Sequence, residues 1–356
     1  MSLRAAETAR KRAALAAAVA ALVGGAATGC GGSSPAATSS ASSAPVPLVV
    51  YSAQGYDKPM TDAFQKATGI PTKLVDDSTG PLLARVQAEQ GNPAWGVLWV
   101  DGDAAFAALD KAGMLVKGFE PNVTLTAAGQ AVVPADKSYV PTGLTVTAAV
   151  VYDATKTTTP PTSWQELLTP AWKGAVGMND PSVSGPTYPF VAGMFNQLGG
   201  DTQGQAFYTG LKSNGLHVFQ TNGDTLHALQ TGQIKVALVQ SSAGIAAGIK
   251  NPHLKTAYLP KVTSLPSVIG IDGKAPAQVR AEAKQFASFV LSAQGQQVML
   301  TGDRNGDSLY WPIISGVQPD PELPALSTVP TQAVDPYIWG PKEGSINAWF
   351  TNTIVR

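Results

Sequence analysis

An α/β protein with a mostly parallel sheet, large enough for two packed lobes, is the fold class this sequence predicts. Three observations predict it. From Leu48 onward, short apolar runs alternate with stretches of helical period, and that alternation is the signature of α/β layers. The chain has 356 residues, 44% of them hydrophobic, which suffices for two cores. Only 13% of residues are charged, while 36 Gly and 27 Pro point to many loops and to export rather than to a helical bundle. The formal net charge is zero, and no basic block lies beyond the N-terminus, which argues against a nucleic-acid partner. A single cysteine excludes an intrachain disulfide and any Cys-based metal cluster.

That cysteine sits at the end of an export signal. Arg4, Arg10, Lys11 and Arg12 form a basic n-region, Ala13 to Val23 an apolar h-region, and Gly24 to Gly29 a run of small residues. The apolar run is shorter than the roughly 20 residues that span a bilayer as a helix. Ala27-Thr28-Gly29-Cys30 resembles a bacterial lipobox, with Ala27 where Leu is usual. The resemblance implies a signal peptide over 1–29 and lipid attachment at Cys30; an ordinary cleaved signal is the alternative. Residues 31–47, GGSSPAATSSASSAPVP, carry no charge and almost nothing large to bury, as a flexible tether would. The expected location is the outer face of the cell membrane, held by lipid. Cleavage before Cys30 leaves 20 basic and 23 acidic residues, a formal charge of −3.

The expected elements run as follows. Leu48 to Tyr51 is a buried strand that enters a polar loop, Ser52 to Asp57. Met60, Ala63, Phe64 and Ala67 recur at i, i+3, i+4, i+7 in a helix that Gly69 ends. Ile70 to Val75 is a second strand. Pro81 suits a first helical position, with Thr79-Gly80 at the cap and Leu82, Leu83 and Val86 as the apolar stripe. Val97 to Val100 is a strand ended by Asp101, followed by a helix over about 104–112. Thr142 to Tyr152, TGLTVTAAVVY, is a long β-rich run without a breaker. Gly232 to Gln240 and Leu259 to Ile271 are further apolar runs, and Ala277 to Leu291 returns to helical period. There is no internal repeat and no GxxxxGK[ST], GxSxG, HExxH or CxxC fingerprint.

SWQELLTPAWKGAVGMNDP, residues 163–181, resembles a segment of extracellular solute-binding proteins of ABC importers, in their ferric-ion and phosphonate branch. YSAQGYDKPMTDAFQKATGI, LLARVQAEQGNPAWGVLWVDGDAAFAALDKAGML, PSVSGPT and SLYWPIISGV resemble other stretches of that family in the same order. The resemblance implies a type II periplasmic-binding fold: two α/β lobes, two crossover strands and a hinged cleft. Lobe I is expected over 48–143 and 264–356, and lobe II over 144–263, with TGLTVTAAVVY and Leu259 to Ile269 as the crossovers. It also implies a non-enzymatic monomer that hands a small solute to an ABC permease and carries no cofactor.

Ligands of α/β sheets collect beyond the C-terminal strand ends, near helix N-termini whose free N–H groups favour anions. Four polar clusters have that placement: Ser52-Ala53-Gln54, Ser78-Thr79-Gly80, Ser182 to Thr187 with Ser184-Gly185 inside it, and Gln240-Ser241-Ser242. The candidate ligand contacts are therefore Ser52, Ala53, Gln54, Thr79, Gly80, Asp101, Ser182, Ser184, Gly185, Thr187, Gln240, Ser241 and Ser242. Hydroxyls and amides without a nearby cation suit phosphate- or phosphonate-like oxygens. The bland reading is that Ser, Thr and Gly before a helix merely cap it. Asp101 suits an ammonium or a metal, or a helix cap. The favoured solute is anionic or zwitterionic, a phosphonate or phosphate ester. Ferric iron, bare or chelated, and thiamine-like ligands remain alternatives, as does a sensory role beside a membrane kinase. QSSAGIAAG, residues 240–248, lacks the tyrosines with which ferric members bind iron, and the chain has no Tyr-Tyr pair. Tyr51, Tyr56, Tyr188 and Tyr310 lie near the candidate loops but equally suit packing. His217, His227 and His253 are expected at surfaces, and GDRNGDS, residues 302–308, reads as a turn. A hydrolase would need a nucleophile with a positioned base, and none of the three histidines lies in a motif that supplies one.

Overall fold

The computed structural model describes residues 46–356. The signal, Cys30 and nearly all of the tether lie outside the described residues. Among the described residues no helix is long and apolar enough to cross a membrane.

The first part of the chain alternates as expected: β1 (Leu48–Ser52), α1 (Asp57–Thr68), β2 (Thr72–Asp76), α2 (Thr79–Ala88), β3 (Val97–Asp101) and α3 (Ala104–Lys111). β1 pairs in parallel with β2 and β3. All of β3 is buried, which is why it reads as an unbroken apolar run rather than an alternating one. Gly69 ends α1 at φ +74°, and its N–H donates to the Gln65 carbonyl. The α2 boundary differs from the expected one. Ser78 is the N-cap and Thr79 the first helical residue, so Pro81 sits third, where a missing N–H is equally harmless.

After a short α4 (Ala127–Gln130), the run from Thr142 to Tyr152 proves to be two strands. β4 (Tyr139–Thr147) pairs antiparallel with β10 (Val262–Ile271) in one sheet, and β5 (Ala149–Asp153) pairs antiparallel with β8 (Val236–Val239) in another. Val and Thr favour strand on both sides of Ala148; nothing local records that the hydrogen-bond partner changes there. The second sheet also takes β6 (Val176–Asn179), β7 (His217–Phe219) and β9 (Leu254–Ala257), in the order β7-β6-β8-β5-β9. Its helices are α5 (Thr187–Leu198), α6 (Asp201–Ser213), α7 (Asn222–Thr231) and α8 (Ser241–Lys250). The chain returns to the first sheet through β10, so that sheet reads β11-β10-β3-β1-β2 with β4 beside β10, β11 being Thr331–Gln332. α9 (Ala277–Val290) and α10 (Ala293–Thr301) follow β10.

The C-terminal segment, expected with lobe I alone, touches helices of both sheets. From α11 (Pro336–Trp339), the Tyr337 hydroxyl donates to Asp110 Oδ2 at 2.8 Å, and Lys111 Nζ donates to the Tyr337 carbonyl at 2.6 Å. From α12 (Glu343–Phe350), Trp349 meets Phe195 edge-on at 5.8 Å and Phe350 meets Tyr208 at 5.4 Å. At the end of α11, the Trp339 carbonyl accepts from the Tyr188 hydroxyl of α5.

Candidate functional site

The C-terminal ends of β1, β2 and β3 face the starts of four helices across a cavity of about 220 Å³. Its lining includes Ala53, Asp76, Asp77, Ser78, Thr79 and Asp101 from the first sheet's loops. Ser184, Gly185, Pro186, Thr221, Asn222 and Gln240 come from the second, and Asp307 and Tyr310 from the segment after α10. Helix starts converge here because parallel strands all deliver the following helix on the same edge.

Six of the expected residues line this cavity: Ala53, Thr79, Asp101, Ser184, Gly185 and Gln240. The others lie beside it. The Ser52 hydroxyl accepts from the Gln54 N–H at 3.2 Å and fixes the loop after β1. Ser241 Oγ lies 2.6 Å from Thr145 Oγ1 and accepts from the Val146 N–H, so it is spent on β4. Ser242 is fully buried with an unpartnered hydroxyl, and Thr187 lies buried in the first turn of α5. Ser182 donates to Asp180 Oδ1, and Gly80 uses its N–H on the Val183 carbonyl at 3.2 Å. Ser182 and Gly80 line a separate cavity.

Capping does not account for the helix starts. Neither Ser78 before α2, Pro186 before α5 nor Gln240 before α8 makes a side-chain capping bond. Only α7 is capped, by Thr221 accepting from the Asp224 N–H. At α2 and α5 few N–H groups remain, because Gly80 and Thr187 donate to the Val183 and Ser184 carbonyls and Pro81 and Pro189 have none; the first turn of α8 leaves the most for a solute's oxygens. At β6, Asn179 arranges two of the termini at once. Its amide donates to Ser184 Oγ at 3.1 Å and Asn222 Oδ1 at 2.7 Å, while its carbonyl accepts from the Thr225 hydroxyl at 2.5 Å.

Asp76, Asp77, Asp101 and Asp307 line the same cavity, with no basic residue among the described lining residues. Asp101 is 7% exposed. Its Oδ1 accepts from Gln54 Nε2 at 3.0 Å and its Oδ2 from the Tyr310 hydroxyl at 2.8 Å; that hydroxyl in turn accepts from Gln240 Nε2 at 2.8 Å. Burial pushes the Asp101 carboxyl up to about 7 despite those donors, and the neighbouring Asp307 adds to the rise. Asp307, itself pushed up by burial, accepts from Asn222 Nδ2 at 3.3 Å. Burial also holds the Tyr310 phenol well above its ordinary range, so it stays protonated and donates. Gln240→Tyr310, Asn222→Asp307 and Gly80→Val183 each join one sheet's loops to the other's, so the cleft is closed around the cavity.

The four tyrosines divide. Tyr310 lines the cavity, but Tyr51 donates to Glu89, Tyr188 to the Trp339 carbonyl, and Tyr56 packs edge-on to Trp99 at 5.1 Å. Among the described residues no group of three His, Cys, Asp or Glu side chains is placed to hold a metal ion. His227 and His253 are exposed, and His217 is partly so. Sequence reasoning missed Asp76, Asp77, Asn179, Asn222 and Asp307. Asp76-Asp77 did carry a signal, following a parallel strand directly. Asp307 lay in the turn 302–308, where nothing local shows that the loop reaches the cleft.

The profile of the bacterial extracellular solute-binding protein family matches residues 59–331. The chain belongs to that family. This solute-binding protein is 25% identical over 303 residues to a Salmonella paratyphi A protein provisionally named a 2-aminoethylphosphonate-binding periplasmic protein; the match covers 83% of this chain and 84% of the relative. It is 26% identical over 270 residues to the major ferric iron-binding protein of Neisseria meningitidis serogroup A, covering 73% and 80% of the two chains. Among solved structures, the periplasmic binding protein AfuA of Actinobacillus pleuropneumoniae, with fructose-6-phosphate bound, superposes with a TM-score of 0.76 at 18% identity, covering 87% of this chain and 98% of AfuA. The shared fold is the two-lobed periplasmic-binding architecture expected from the resemblance.

Proposed function

We propose that this solute-binding protein is the receptor of an ABC importer for a small zwitterion, an aminophosphonate or an amino phosphate ester. The observation that carries the reading is the mixed lining of the cavity. Asp76, Asp77, Asp101 and Asp307 line it with no lysine or arginine among the described lining residues, and the uncapped starts of α2, α5 and α8 line it beside them. A plain dianion would meet uncompensated carboxylates, and a plain cation would leave the helix N–H groups unmet. A molecule with an ammonium and an acid group satisfies both. A volume of about 220 Å³ lies below the roughly 300–1,000 Å³ of drug-sized sites and favours such a solute over thiamine. The names of the Salmonella relatives support the same class. A lone protonated phenol, Tyr310, gives phenolate-bound iron little support.

The protein acts in this reading as a monomer, binding without turnover and presenting the closed form to a permease. Acylated Cys30 and the tether hold it at the outer face of the cell membrane in this reading. A thermal-shift panel of 2-aminoethylphosphonate, ethylphosphonate, thiamine and ferric citrate tests the reading. A ligand at about 100 times its Kd adds roughly 2.7 kcal/mol, visible as several degrees. A shift with the aminophosphonate is expected; a shift with ferric citrate alone would overturn it.

A further inference from the structure

A second cavity, of about 430 Å³, lies on the other side of the contact between α2 and the 181–185 loop. Leu83, Ala105, Ala108, Leu109, Ala112 and Met114 give it an apolar wall from α2, α3 and the turn after α3. Pro181, Ser182 and Gly185 come from the second sheet's side, and α12 closes it with Glu343 and Asn347. Thr79 and Gly185 line both cavities, so the wall between them is about one residue thick.

α12 supplies a carboxyl, Glu343, and a carboxamide, Asn347, whose acceptor oxygens meet no donor among the described residues. Asn347 Oδ1 is buried and has no hydrogen-bond partner. Glu343, one helical turn earlier on the same face, is pushed up to about 7 by burial alone, with no hydrogen bond or cation to offset it. Among the described residues, no lysine, arginine or histidine lines the cavity. A glutamate in a first helical turn favours the helix dipole, which explains why it is tolerated there. The dipole does not explain an unmet amide oxygen one turn later, nor the space in front of both. Two acceptors at one end of an apolar chamber call for a donor, and beside a carboxylate the fitting donor is a cation.

We propose that this chamber is a second ligand site, for a small amphiphile with a primary ammonium head held by Glu343 and Asn347 and a short alkyl body against Leu83, Leu109 and Met114. It is a site separate from the cleft, although Thr79 and Gly185 line both cavities. Both sheets' loops contribute walls, so the site is complete in the closed form shown here.

Calorimetric titration with n-hexylammonium, 1-hexanol and hexanoate tests it. Hexylammonium is expected to bind saturably and at least tenfold more tightly than hexanoate. Glu343→Gln should weaken hexylammonium at least tenfold while leaving the affinity for 2-aminoethylphosphonate unchanged. Ala112→Trp, at an exposed position of the lining, should fill the mouth and exclude all three probes. Asp101→Asn, in the first cavity, should leave hexylammonium binding intact. No saturable binding, equal binding of hexanoate, or loss in Asp101→Asn with retention in Glu343→Gln would overturn the proposal. The last result would place the ammonium in the cleft instead, and would leave the cleft reading standing while this one fell.

Discussion

Asp101 was legible in the sequence as a carboxylate at a strand end, but its partners were not. Gln54, Gln240 and Tyr310 come from positions 47, 139 and 209 residues away, and only the fold shows that they form one chain of donors. In the proposed function Asp101 faces the solute's ammonium. Asp101→Asn is then expected to cost about 1.5–3 kcal/mol in affinity for 2-aminoethylphosphonate, the range of a hydrogen bond to a charged group, and to change ethylphosphonate binding little. Paired titrations check this, and an equal loss for both ligands would refute it. The unliganded protein should also respond to pH. Burial raises Asp101 to about 7 and Asp57 to about 6, and raises Asp307 in the same direction. A folded-state pKa above the unfolded value means that the native state binds the extra proton, so its contribution is fully present below about pH 4 and is lost as pH rises through about 7. Melting temperature should therefore rise on going from pH 8 to 5.5, and the rise should be smaller in Asp101→Asn. Carboxylates held low, such as Asp153 and Asp320, titrate below this window and do not oppose it.

Elements with a strong local period were readable in advance: β1, α1, β3 and α3 fall within a few residues of expectation. The first crossover was visible only as a β-rich texture. Its division at Ala148 depends on β10 and β8, which lie far along the chain. α7 was not anticipated at all, since Leu226 and Leu229 are too few to mark a helix, and with it Asn222 escaped notice. Gly80 shows how an element can limit the cleft. A Cβ there would run into the Ser182 carbonyl oxygen across the closed interface. Gly80→Ala improves helix propensity by up to about 1 kcal/mol, so thermal stability should hold or rise. Solute affinity should nonetheless fall at least tenfold, because closure is impeded. Small-angle scattering with and without ligand separates the effects; a variant that closes normally would show the contact to be dispensable.

At the scale of the molecule, the sequence supported two α/β lobes joined by crossovers, and the fold agrees. It did not reveal that the C-terminal segment lies across both, because aromatic residues such as Trp339, Trp349 and Phe350 show that something is buried without naming the partner. The closed cleft brings together helix starts and carboxylates, and in the proposed function a zwitterion is selected by matching both. The most direct test is a calorimetric comparison of 2-aminoethylphosphonate with ethylphosphonate on the wild-type protein near pH 8, where Asp101 is ionised. The amine-bearing ligand should bind at least tenfold more tightly, about 1.4 kcal/mol. Equal or tighter binding of ethylphosphonate would contradict the assignment of the carboxylates to an ammonium.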